Sequence, residues 1–180
     1  MAADKNQSYT EWLVLNSQQG DVQAFDTLLR MWQQRWFLYG VSRLRDQELA
    51  REATQECLLA ISRGIRRLQD PASFPKWSFQ IMDRRCTDLL RRHIRERNRQ
   101  QVLQQEALLP AGSEGGLQDL QLSLQEALQL LDEPLARLLR LYYLEGFALA
   151  EIAEILGIPP GTVKSRLFHA RKLMAKILEE

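Results

Sequence analysis

The chain has 180 residues, of which 45% are hydrophobic and 26% charged, and its formal net charge is +1. That length and apolar content suffice for one domain or two small ones with a packed core. No apolar run approaches the ~20 residues of a membrane span and MAADKNQSYTEW has no apolar signal core, so a cytoplasmic protein without membrane insertion is expected.

Residues 1–9 read as an N-terminal extension, and 10–97 as a first helical domain. Gly20-Asp21 breaks one helix and caps the next. Val22, Phe25, Leu28, Leu29, Trp32 and Trp36 then follow helical spacing. A helix over 46–68 carries an apolar stripe of Leu49, Ala53, Cys57, Ala60 and Ile61, with Glu48, Glu52, Gln55 and Glu56 on its other face. QDPAS, at 69–73, reads as a loop. The helix expected over 74–97 has a core face of Phe79, Met82, Cys86, Leu89 and Leu90, widened by Trp77 and Ile81. Cys57 and Cys86 lie in these apolar faces without CxxC spacing and read as core thiols. His93 and His169 stand far apart, so no metal site is expected.

From 98 to 116, NRQQVLQQEALLPAGSEGG loses its period and turns Gln-rich, then rich in Pro, Gly and Ser. This is the expected flexible linker, across which the two domains sample many separations. A second helical domain is expected over 117–180. Leu117, Leu120, Leu124, Leu128 and Leu131 space out one helix; Leu135, Leu138, Leu139 and Tyr142, behind Pro134, space out the next.

The stretch EIAEILGIPPGTVKSRL, at 151–167, holds the sharpest break. Ile152, Ala153 and Leu156 mark a short helix that ends at Gly157, and Pro159-Pro160 prevents its continuation. Thr162 is expected to cap a new helix, held on the core by Val163, Leu167, Ala170, Met174 and Ile177. The opposite face shows Lys164, Ser165, Phe168, His169, Arg171 and Lys172. Two helices joined by a tight turn, the second basic and polar at its start, form the helix-turn-helix arrangement that enters the DNA major groove. Phe168 either meets a thymine methyl or packs on a neighbouring helix.

Charge distribution supports nucleic-acid contact despite the small net value. Residues 80–100 hold seven arginines, 101–136 hold no Lys or Arg, and 161–178 are basic with no acid. Two basic blocks on separate helices exceed what one solvated face requires.

At this point the chain resembles a family, the small extracytoplasmic-function sigma factors of bacteria. LDEPLARLLRLYYLEGFALAEIAEILGIPPGTVKSRLFHARKLM is similar to their region four; GDVQAFDTLL, ELAREATQECLLA and FPKWSFQIMDRRCTDLLRR are similar to region two, in order. The resemblance implies an all-α fold of two small helical domains, and a protein that binds core RNA polymerase, directs it to promoter DNA and helps open the duplex. Glu48, Glu52, Gln55 and Glu56 fall where family members contact polymerase. The loop 69–73 falls where they accept a flipped-out base. Phe74, Lys76, Trp77, Arg84, Arg85, Arg91 and Arg92 fall on the helix that binds the melted minus-ten strand, where aromatic faces stack bases and arginines follow phosphates. Trp77 also fits the core face. Lys164, Ser165, Arg166, Phe168, His169, Arg171 and Lys172 are the implied readers of the minus-thirty-five element. An anti-sigma partner, which holds some members at the membrane, is implied as well. This chain departs at Arg51-Glu52, where an acidic pair is usual, and at Ala148, where Ser or Thr would close a capping box with Glu151.

Two rivals stay open: a stand-alone helix-turn-helix regulator, and a decoy that binds an anti-sigma protein. No Gly-rich phosphate loop, metal-spaced cluster or nucleophile–base pair supports an enzyme or a cofactor.

Overall fold

The computed structural model describes residues 2–103 and 131–179, which are helical with short connections. Four helices build the first half: α1 (Ala2–Gln18), α2 (Val22–Leu44), α3 (Gln47–Gly64) and α4 (Phe74–Leu103). Their starts follow the sequence. The Asp21 carboxylate accepts from the amides of Gln23 and Ala24 at 2.9 and 3.0 Å, and Asp46 accepts from Glu48 and Leu49 at 2.8 and 3.0 Å. Each satisfies first-turn donors that have no partner within the helix.

α2 lies against α1, α3 and α4 and so occupies the centre of this half. Trp36, Tyr39, Phe74 and Phe79 are fully buried there. Gly40 permits the close approach: a Cβ at that position would meet Met82 Cε at 2.8 Å and Ala50 Cβ at 3.2 Å. Cys57 and Cys86 are buried and unpaired, and burial first of all pushes both thiols up to about 12.

The second half contains α5 (Glu133–Leu139), continued by a π-type turn over Arg140–Leu144, then α6 (Leu149–Leu156) and α7 (Pro160–Glu179). α5 and α6 both pack on α7. Leu138, Leu141, Ile152, Val163 and Ala170 form its centre, all fully buried.

Several expectations need correction. Val22 is 77% exposed, because it is the first residue of α2 and has no turn before it to pack under. α1 begins at Ala2, inside the expected extension. α3 stops at Gly64 and passes into a 3-10 turn over Ile65–Arg67, short of the expected 68. α4 continues to Leu103, so 98–103 are helical rather than linker. Thr162 does not cap α7, which starts at Pro160: the proline ring presets the helical φ and has no amide to satisfy. The leucine stripe at 117, 120, 124 and 128 lies outside the described residues. The two halves are in contact, α4 against α6 and α2 against α5, instead of standing apart.

Candidate nucleic-acid interface

The α6–turn–α7 unit is built by its ends. Ala148 has no side-chain acceptor, so only half of a capping box forms: the Glu151 carboxylate accepts from the Ala148 amide at 2.9 Å. Gly157 ends α6 in the left-handed region at φ 63°, a conformation that a Cβ disfavours. The carbonyl of Pro159 then accepts from the amides of Thr162 and Val163 at 2.9 and 3.2 Å, which starts α7.

α7 holds itself on the core through Val163, Leu167, Ala170 and Met174. The opposite face carries Lys164, Ser165, Arg166, Phe168, His169, Arg171 and Lys172, all exposed. Phe168 is 71% exposed, so it packs on no neighbouring helix. Lys164, Arg166 and Lys172 make no ion pair among the described residues. Arg171 is placed differently: its guanidinium stacks over Tyr142 and Tyr143, 5.2 and 5.5 Å from the ring centroids. The Ser165 hydroxyl donates to the Thr162 carbonyl at 3.1 Å.

The candidates on α4 divide. Phe74 is fully buried, with ring centroids of Trp32, Trp36 and Trp77 at 5.7, 6.3 and 6.0 Å, so it presents no face to a base. This corrects its expected exposure: it heads the helix, where the preceding turn folds it under α2. Trp77 is half-buried and lies over Gly64. Lys76 reaches Glu154 of α6 at 2.7 Å. Arg84 and Arg91 are exposed. Arg92 turns back onto α3, pairing Glu52 at 3.1 Å and Glu56 at 2.9 Å, and the bond to Glu56 pushes its pKa higher still. Arg85 stands 3.9 Å from Glu56.

On α3, Glu48, Glu52 and Gln55 are exposed and Glu56 is half-buried. Arg51 pairs with Glu48. Leu59 lies exposed on the same helix, a feature the sequence pattern did not single out. The four polar candidates thus share one face, edged by arginines from its own helix and from α4.

The loop before α4 has a defined turn. Asp70 accepts from the Ala72 amide at 3.1 Å and from the Ser73 hydroxyl at 2.6 Å. The Ser73 bond, then the amide, holds the Asp70 carboxyl below its ordinary value. A lowered carboxyl pKa stabilises the turn above the ordinary carboxylate range and loses that effect as pH falls through the lowered value. A carboxyl NMR titration should give Asp70 a midpoint below the usual ~3.9, and Ser73→Ala should raise it. A midpoint at or above the usual value would remove the turn's proposed hydrogen bonds.

Sequence reasoning missed a buried polar network between the halves. Tyr39 donates to Asp83 at 2.6 Å, and Arg137 of α5 reaches the same oxygen at 2.9 Å. Arg43 pairs Glu133 at 2.9 Å. Nearby, Arg35 donates to Glu145 at 2.7 Å, and Arg140 lies 3.8 Å from the same carboxylate. Burial foremost pushes Tyr39 well above its ordinary range, and burial lowers Arg140. A signal was present: Asp83 interrupts an apolar face between Met82 and Cys86, and Arg137 stands between Leu135 and Leu138.

Residues 28–96 match the family described as Sigma-70 region 2, and residues 121–174 match Sigma-70, region 4. The ECF RNA polymerase sigma factor SigM of Mycobacterium tuberculosis is 29% identical over 161 residues, covering 88% of this chain and 79% of the relative. The RNA polymerase sigma factor SigV of Bacillus subtilis is 30% identical over 143 residues, covering 78% and 82%. Among solved structures, sigma factor RpoE of Bartonella quintana, in complex with the anti-sigma factor NepR, aligns with a TM-score of 0.70 at 22% identity, covering 88% of this chain and 98% of that one.

Proposed function

This chain belongs to the sigma-70 family, in its ECF group, and directs transcription initiation with core RNA polymerase at promoter DNA; from that premise we propose how its surfaces divide the work. The exposed face of α7 reads the upstream promoter element, with Lys164, Arg166, Phe168, His169 and Lys172 directed at the DNA. Arg171 instead steadies the end of the π-type turn and approaches the backbone. The α3 face of Glu48, Glu52, Gln55 and Glu56 meets polymerase. The α4 surface of Lys76, Trp77, Arg84 and Arg91 takes the melted strand. Arg92 serves the polymerase face by holding Glu52 and Glu56. The protein acts in the cytoplasm without catalysis of its own, and an anti-sigma protein controls it; NepR, bound to the Bartonella quintana sigma factor, is a partner of that kind.

The observation that carries this reading is the acid-free outer face of α7, whose cations Lys164, Arg166 and Lys172 have no intramolecular ion pair among the described residues. Unpaired cations on a capped, rigid helix suit a polyanion. Arg166→Ala should weaken promoter recognition by about 1–3 kcal/mol at one base position if it meets a base edge. Lys172→Ala should weaken all sequences alike if it meets phosphate. Transcription from a panel of single-base promoter variants distinguishes these, and no effect of either substitution would mean the helix faces the other way.

A further inference from the structure

The reading domain sits on the surface proposed for the melted strand. α6 packs against α4. Between them runs a groove with Trp77, Ile81 and Arg84 on one wall and Glu154, Leu156 and Gly157 on the other. The Glu154 carboxylate pairs Lys76 at 2.7 Å, where a strand's phosphate would otherwise stand. A single strand following Lys76, Trp77 and Arg84 would run into α6.

The contact is built to hold and to release. Phe79 meets Phe147 edge-on at 5.3 Å between ring centroids. Around this apolar point the pairs are ionic: Arg137–Asp83 at 2.9 Å, Arg43–Glu133 at 2.9 Å and Arg35–Glu145 at 2.7 Å. Arg45 adds a hydrogen bond to the Leu131 carbonyl. An interface of charges loses its pairs to water when it opens, so both sides stay soluble apart. An apolar interface of the same area would resist opening much more. The outer face of α7 takes no part in the contact and stays exposed.

We propose that α6 docked on α4 is a self-masking interface: the free chain offers α7 to duplex DNA but withholds the α4 surface from a single strand until the halves part. The inference rests on the assignment of surfaces above and adds their mutual exclusion. It makes the two DNA activities unequal in the free protein. Polymerase, by holding the halves apart, would supply the missing one.

Glu133→Lys tests it in the full chain, because a third cation beside Arg43 and Arg137 disfavours the closed contact and touches neither DNA surface. The probes are a fluorescent single-stranded oligonucleotide of random sequence and its duplex. A closed state favoured tenfold lowers apparent affinity about tenfold, so the variant should bind the single strand at least ~10-fold tighter. The duplex should gain much less. The reciprocal swap Arg43→Glu with Glu133→Lys keeps the wild-type net charge and should return single-strand binding toward wild type. Glu154→Lys, at an exposed position, gives the same direction of change if Glu133→Lys does not fold. Equal single-strand affinity in wild type and in these folded variants overturns the proposal. So does an equal gain on both probes, which would be a charge effect alone. Absence of start sites with core polymerase, alongside a preserved single-strand difference, would instead fail the assignment of surfaces and leave the masking intact.

Discussion

Glu52→Lys lowers the affinity for core polymerase by about a hundredfold, the scale on which an interfacial charge pair turned repulsive acts. Glu52 is exposed on α3 beside Glu48 and Gln55, and its carboxylate stands 3.1 Å from Arg92. Reversal removes the charge offered to the partner and sets a lysine against Arg92, which keeps Glu56 at 2.9 Å. The fold should not suffer, because an exposed ion pair contributes little to stability. A pull-down with core polymerase reads the affinity, and circular dichroism reads the helix. A folded variant with unchanged core affinity would move the polymerase interface off α3.

Phe74→Ala is expected to cost about 3–5 kcal/mol of stability, the usual range for truncating a buried phenylalanine. Phe74 is fully buried and touches three tryptophans, so its removal opens a void at the junction of α2 and α4. Urea unfolding measures the loss. A surface ring that stacks a base would behave differently: stability would hold and single-strand binding would fall. An unchanged unfolding midpoint therefore contradicts the burial and returns Phe74 to the DNA surface. Trp77→Ala, at a half-buried position, should cost less stability than Phe74→Ala.

The contrast between Phe74 and Phe168 marks where sequence reading succeeds. Phe168 falls on the polar face of a helix whose core face is complete without it, at Val163, Leu167 and Ala170, so its exposure was readable from period alone. Phe74 sits at a helix start, where the period is undefined and the entering chain decides what is covered. Val22 fails for the same reason in the opposite direction. The caps at Asp21, Asp46 and Gly157 were legible because each depends on residues within one turn.

The ion pairs were less legible. Arg92 reads as one arginine among seven, and nothing local separates it from those that stay free. Its direction is set by α3, many residues earlier, which places Glu52 and Glu56 within reach. The docking of the halves was hidden for a related reason. The net charge and the loss of period over 98–116 suggested independence, and the acidic stretch between the basic blocks suggested only separation. Asp83 and Arg137, each a charge on an apolar face, were the available clue, but charges on apolar faces name no partner.

The central claim is that this chain turns core polymerase onto particular promoters. It is tested most directly by mapping the 5′ ends of transcripts made in vitro from host genomic DNA by purified core polymerase, with and without the protein. The account predicts discrete new ends that appear only with the protein, each preceded by a shared pair of upstream elements, and lost when the α7 face is altered by Arg166→Ala with Lys172→Ala. The contradicting result is a set of 5′ ends unchanged by adding the folded protein, together with tight, sequence-specific duplex binding by the protein alone.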